Sequence, residues 1–303
     1  MIEFTAAHFE ELCACEPVRS QVETLESRRK AAMKAFWLYL TGGIVVAAAA
    51  LFSLQSAGWE VAAWIVGGLI LVAGIGAAVS PLGQIKEALK HPVLEQLAAK
   101  SELEYIPFGF TPPAYPPARN LLFGANLSSE SFTDLFHGAD AEGRGYAVYE
   151  ACLQRRSGKS TVTVFSGQLY AVHRRPGAKG TTVIVPDRKL FNFFKPSGDM
   201  QRVKIEGDPE FEERFEAYST EPLEAKQLLF DTDLRRRLLA LRRSGRVYAY
   251  LDADEALVAV SGKDRFEPGT MFRSKPGEER IRLMFDDVCA SLAILQDLKA
   301  RLG

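Results

Sequence analysis

Two stretches near the start of the chain leave it little freedom. Ala35 to Leu54 and Val61 to Val79 contain no charged side chain. A helix rising 1.5 Å per residue covers roughly 28–30 Å over either run, the thickness of a bilayer's hydrocarbon core. A helix in a water-soluble core shows one apolar stripe, seldom an apolar circumference of that length. Gln55-Ser-Ala-Gly-Trp-Glu60 between the runs leaves room only for a tight turn. The pattern predicts a helical hairpin that spans a membrane twice. No ionisable group lies inside either run, which argues against an ion or proton path. A cleaved signal peptide fits poorly, because a charged segment, residues 1–34, precedes the first run.

The flanks predict the orientation. Arg28, Arg29, Lys30 and Lys34 precede the first run, Lys86 and Lys90 follow the second, and the connecting turn has no base. Positively charged flanks stay on the cytoplasmic side, so both ends of the chain are expected there. Trp37, Tyr39, Trp59 and Trp64 fall near the expected interfaces, and Gly43, Ala47, Gly67, Gly74 and Ala78 would let the two helices approach closely.

Outside the hairpin the chain divides by composition. Residues 1–34 predict a cytoplasmic N-terminal helix with an intermittent apolar stripe, 35–80 the hairpin, and 81–100 a helical stalk bearing Ile85, Leu89, Leu94 and Leu97. Residues 101–120 include Ile106-Pro-Phe-Gly-Phe-Thr-Pro-Pro-Ala-Tyr-Pro-Pro117, expected to be an extended linker. Residues 121–303 predict an α+β domain. Ser128 to Ser131 looks like a helix start leading to Phe132, Leu135 and Phe136. Strands are expected near 145–154, 160–173, 181–185, 202–206, 217–219, 247–251 and 256–260, with a bulge or bend at Gly167. Asp208-Pro-Glu210, Pro222 and Asp231 open short helices, and Glu278 to Leu302 forms a final amphipathic one. The fold class is thus a transmembrane helical hairpin followed by an antiparallel sheet with a C-terminal helix. Cys13, Cys15, Cys152 and Cys289 have no metal-ligand spacing, and reduced thiols are the simplest account.

"DPEFEERFEAYSTEPLEAKQLL" (208–229), "VFSGQLYAV" (164–172) with "TTVIVPD" (181–187), and "FEPGTMF" (266–272) resemble the bacterial family known as domain of unknown function 3137. The resemblance implies a bacterial plasma-membrane protein with two N-terminal membrane helices and a cytoplasmic domain. It implies no activity and no catalytic residues.

Enzyme motifs fail on inspection. Gly158-Lys-Ser160 resembles the end of a P-loop, but the position of its first glycine is Leu153, and a β-branched strand, Ser160 to Phe165, follows instead of a helix. His137 with Asp140, or His173, could serve as a base, yet four scattered histidines make no catalytic set. Asp252, Asp254 and Glu255 fit a turn better than a metal site. No cofactor, metal or nucleic acid is expected.

Charge, by contrast, is unevenly spread. Residues 151–205 hold eleven bases (155, 156, 159, 174, 175, 179, 188, 189, 195, 202 and 204) against the acids Asp187 and Asp199. Either these bases pair with the acidic helices that follow, or they form an anionic-surface site, with Arg155, Arg156, Lys159, Arg174, Arg175 and Lys179 as its candidates. The expected function is a non-enzymatic, membrane-anchored cytoplasmic domain that binds a protein partner or anionic lipid headgroups. The alternatives are a hydrolase or transferase acting on a membrane-proximal substrate through His137, Asp140 or His173, and a structural subunit of a membrane complex.

Overall fold

A computed structural model describes residues 5–187 and 199–303. The chain forms two compact units, one of Ala98–Arg265 with Asp287–Gly303 and one of Glu3–Leu97 with Phe266–Asp286. The C-terminal helix α8 (Gly277–Leu302) contributes its first turns to the second unit and the rest to the first.

The helical unit is built on α1 (Ala6–Ala14), α2 (Glu16–Ser56) and α3 (Glu60–Lys100). Each long helix has 41 residues and carries a window of mean hydropathy 2.0 (α2) or 2.2 (α3), so both are long and apolar enough to cross a membrane. Those windows are only 6% and 17% buried, which separates them from the core helices of soluble proteins. The helices touch through small residues, as expected from the sequence: a Cβ on Gly43 would sit 3.2 Å from Gly74 Cα, while Ala47 and Ala78 are buried. Charged segments continue both helices without a break. There Leu82, Ile85, Leu89, Val93 and Leu97 of α3 and Val18 and Leu25 of α2 are buried. Phe9 of α1 meets Phe285 of α8 edge to face at 5.5 Å, and the Arg282 guanidinium lies 3.4 Å over the Phe9 ring.

The other unit carries nine strands among the described residues, all in one antiparallel sheet of order β1-β2-β3-β4-β9-β8-β5-β7-β6. The strands are β1 (Glu104–Ile106), β2 (Ser129–Ala139), β3 (Gly145–Ser157), β4 (Ser160–His173), β5 (Thr182–Pro186), β6 (Gln201–Val203), β7 (Phe215–Ser219), β8 (Val247–Leu251) and β9 (Glu255–Ser261). Short helices α5 (Pro209–Arg214), α6 (Pro222–Phe230) and α7 (Thr232–Arg242) stand where capping residues placed them; Asp208 accepts from Phe211 N, and Asp231 from Asp233 N and Leu234 N. One sheet face carries Leu135, Tyr149, Leu153, Phe165, Leu169, Tyr248 and Leu257. Helix α4 (Tyr115–Phe123) covers it, with Phe123 packed on Phe165 and Tyr248 at 5.1 and 5.7 Å. The other face receives α8, where buried Ser291 donates to Gln168 Oε1 and Lys299 lies over the Tyr146 ring.

Two expectations are corrected here. Residues 101–120 do not run as a linker. Tyr105 and Ile106 pair with β2, and Pro116 and Pro117 start α4, where their missing N–H groups fall among donors that a helix leaves unbonded anyway. Arg119 and Tyr115 then fasten α4 to Glu130 of β2 at 2.6 Å each. Residues 128–136 are strand rather than helix. The three-residue spacing of Phe132 and Leu135 arises from a β-bulge between Thr133 and Phe136, which adds one residue and returns both side chains to the α4 face. An amphipathic helix has the same spacing, so the sequence pattern misled.

The bulge expected at Gly167 is not there either: Gly167 pairs in regular register with Ala151 and Ser261, and the register shift of β4 falls between Thr163 and Phe165, opposite Gln154 and Leu153. The φ of Gly167 is +150°, and a Cβ there would lie 2.2 Å from Val260 O of β9. Gly167→Ala is expected to cost at least about 2 kcal/mol in denaturant unfolding. Gly158→Ala, at φ +61° with open space around it, is expected to cost about 1 kcal/mol or less.

Candidate functional site

The β3–β4 hairpin is longer than its neighbours. Pairing with β2 ends at Gln154, and pairing with β9 begins at Gly167. Residues 155–162 therefore pair only with each other, as Arg155 with Val162, Arg156 with Thr161 and Ser157 with Ser160. A register shift at Leu153/Gln154 marks where this two-stranded arm leaves the sheet. Every residue from Arg155 to Thr163 is exposed. The arm holds Arg155, Arg156 and Lys159 and no acid. None of the three has an ion-pair partner among the described residues, whereas Arg202 pairs with Glu216 and Arg235 with Asp208. Internal neutralisation thus accounts for some bases of the domain and not for those of the arm.

The six bases singled out from sequence do not converge. Arg174, Arg175 and Lys179 lie beyond the far end of β4, fourteen residues from the arm's turn, or about 45 Å at 3.3 Å per residue. Arg174 is half buried, and its guanidinium donates to the backbone oxygen of Asp252; burial pulls its pKa down, with Asp252 opposing. That side chain fastens the β8–β9 turn. Arg175 and Lys179 are exposed. Of the other bases counted, Arg188, Lys189 and Lys195 lie outside the described residues.

A cavity of about 350 Å³ opens at this second end, on the α4 face. Its floor is low because Ala147 of β3 and Ala171 of β4 are cross-strand partners in the repeated stretches Tyr-Ala-Val, 146–148 and 170–172. Ile106, Phe110, Pro113 and Leu135 form its walls. Pro113 is held in place as its carbonyl accepts from Tyr149 Oη at 2.7 Å. His137, His173 and Glu255 also line the cavity. His137 Nε2 is buried without a hydrogen bond, and the Glu104 carboxylate lies 3.4 Å away. His173 and Glu255 are cross-strand partners of β4 and β9. Burial raises the Glu255 pKa, Asp252 and Asp254 add to the shift, and His173 opposes it.

Two of the three residues suggested as acid–base candidates therefore meet at one cavity. Asp140 does not join them, since its carboxylate is taken up by Arg144 in the β2–β3 turn. Glu255 was missed as a partner for His173. Only the β4–β9 register joins positions so far apart in sequence; Asp252 accepts from the backbone N–H of Asp254 and Glu255, as a turn residue does. The raised Glu255 pKa gives a stability prediction. The fold holds this proton more tightly than the unfolded chain, so the ionised carboxylate penalises folding. The penalty is absent below the ordinary carboxyl pKa and complete above the raised one. Glu255→Gln is expected to melt on the order of 1–2 °C above the parent at pH 8 and no higher at pH 4, solvent screening keeping the effect small.

Comparison with known proteins agrees with the family resemblance. Residues 163–300 match the family described as "Protein of unknown function (DUF3137)". No curated protein matches the sequence. Among solved structures, the chain is similar to the crystal structure of the mycobacterial trehalose monomycolate transport factor A, TtfA. The two are 12% identical, the match covers 71% of this chain and 96% of that one, and the TM-score is 0.35.

Proposed function

We propose that this protein is a bacterial inner-membrane binding domain, anchored by α2 and α3 with its sheet on the cytoplasmic side, whose basic β3–β4 arm contacts anionic lipid headgroups. The apolar, outward-facing windows of α2 and α3 support the anchoring. The base-rich flanks and base-free turn support the orientation. The observation that carries the binding reading is the arm itself, with three exposed bases that no acid of the described chain neutralises. Each base near an anionic leaflet contributes about 1 kcal/mol, so three together favour contact by about 3 kcal/mol, roughly a hundredfold. The two-stranded, exposed geometry suits a broad surface better than a small ligand.

A fluorophore on Ser157→Cys tests this in the full chain reconstituted into vesicles. Quenching by headgroup-labelled lipid is expected on vesicles containing phosphatidylglycerol and not on purely zwitterionic ones. The difference is expected to vanish in the triple variant Arg155→Ala, Arg156→Ala, Lys159→Ala, and at about 1 M salt, where the Debye length falls to about 3 Å. Equal quenching on both vesicle types rules the contact out.

A second reading rests on the cavity. His137, His173 and Glu255 at the rim of an apolar chamber suit acid–base work on an amphiphile whose hydrocarbon part lies against Ile106, Phe110 and Leu135. Hydrolysis of p-nitrophenyl esters that is lost in His137→Ala and kept in the arm variant would make this the better account. No turnover by the parent chain removes the esterase form of it.

A further inference from the structure

The Phe-Glu-Pro-Gly-Thr-Met-Phe stretch, 266–272, belongs to the helical unit and is held there from several sides. Phe266 and Met271 are buried. Glu267 receives Lys86 and Lys90 of α3 at 2.5 and 2.8 Å. Gly269 takes a left-handed φ of +77°. Arg280 of α8, with no exposed surface, donates to three loop carbonyls: Pro268 at 2.9 Å, Thr270 at 3.0 Å and Arg273 at 2.6 Å. Ser274 then donates to Glu26 of α2 at 3.2 Å. The loop thus bridges both long helices.

Against this framework Phe272 is anomalous. Its side chain remains 48% exposed. Its ring packs edge to face on Phe36 of α2 at 5.2 Å, and Phe36 packs in the same way on Trp37 at 5.3 Å. Phe36 is the second residue of the first uncharged run. Gly43 and Gly74 mark where the antiparallel helices touch. Seven residues back from Gly43 is Phe36, and seven forward from Gly74 is Pro81, just past the end of the second run. Phe272 therefore stands at the level where both apolar runs end. Beside it in sequence, Arg273 is exposed, as is Lys34 at the foot of the first run, and neither has an ion-pair partner among the described residues. An aromatic ring level with an apolar boundary, flanked by free bases, is the arrangement that settles among lipid headgroups.

We infer that the 270–275 loop is a third membrane contact, with Phe272 inserted at the boundary of headgroups and acyl chains beside α2 and with Arg273 among the headgroups. The inference rests on the anchoring reading. Arg280 and Glu267 preorganise the loop, so insertion requires no ordering of its backbone. The burial left to gain is that of half a phenylalanine side chain.

The test uses the full chain with Cys13, Cys15, Cys152 and Cys289 replaced by serine, reconstituted into phosphatidylcholine–phosphatidylglycerol vesicles. An environment-sensitive fluorophore is placed singly on Phe272→Cys, on the exposed neighbour Arg273→Cys, on Ile44→Cys within the first run, or on Phe230→Cys, an exposed site of the sheet unit. Nitroxides on shallow or deep acyl positions act as quenchers. Position 272 is expected to show blue-shifted emission and loss of fluorescence to the shallow nitroxide, position 273 a weaker loss, position 44 a loss to the deep nitroxide, and position 230 neither. If 44 is quenched while 272 and 273 behave like 230, the loop faces water or awaits a protein partner, and the inference falls while the anchor stands. If 44 is not quenched, the anchoring reading falls first.

Discussion

Hydrocarbon on the outside of a helix is the constraint from which the rest of this structure follows. Over their middle turns α2 and α3 bury little more than the small residues that let them touch, and their Val, Ile, Leu, Phe and Trp side chains point away from the protein. In water each such side chain forgoes about 1.5–3 kcal/mol of burial, and no packing within the described chain recovers it. A bilayer satisfies the whole band at once, while backbone hydrogen bonding stays complete within each helix. The helices also continue unbroken into charged segments whose apolar side chains are buried. Pro81 and Pro92 of α3 are tolerated inside the helix, and the lysines that follow the apolar run find Glu267.

In the sheet unit, departures from regular pairing generate the candidate sites. The bulge in β2 turns Phe132 and Leu135 toward α4 and fixes His137 on that face. The irregularity between β3 and β4 releases the basic arm. Where Ala147 and Ala171 meet, the core is one layer of side chains short, and the proline-rich segment roofs the gap. Charge is handled differently at each place. Acids of the helices neutralise Arg235 and Arg237, the β8–β9 turn absorbs Arg174, and Arg155, Arg156 and Lys159 stay solvated.

Binding at a charged arm and chemistry at an apolar cavity make different demands on a scaffold. The arm needs only reach and unpaired charge, which a two-stranded ribbon supplies at little cost in order. The cavity offers two imidazoles and a carboxyl at its rim, and partial burial of Glu255 raises that carboxyl's pKa. The arm and the cavity lie at opposite ends of β4 and share no residue.

The hairpin helices were legible from sequence because an uncharged run of that length has few other uses. So were the β3–β4 and β8–β9 hairpins and the helices opened by Asp208, Pro222 and Asp231, since turn and cap chemistry acts within a few residues. The sheet segment at 128–136 was not, because a bulge copies the spacing of an amphipathic helix, and the prolines of α4 were mistaken for a linker because proline both forbids a helix interior and favours its first turn. The charge of the arm is written in the chain, yet its freedom from partners depends on which acids the fold brings near. The meeting of His137, His173 and Glu255 is wholly tertiary. Strand register sets it, and register is decided by side-chain packing between segments that lie far apart along the chain.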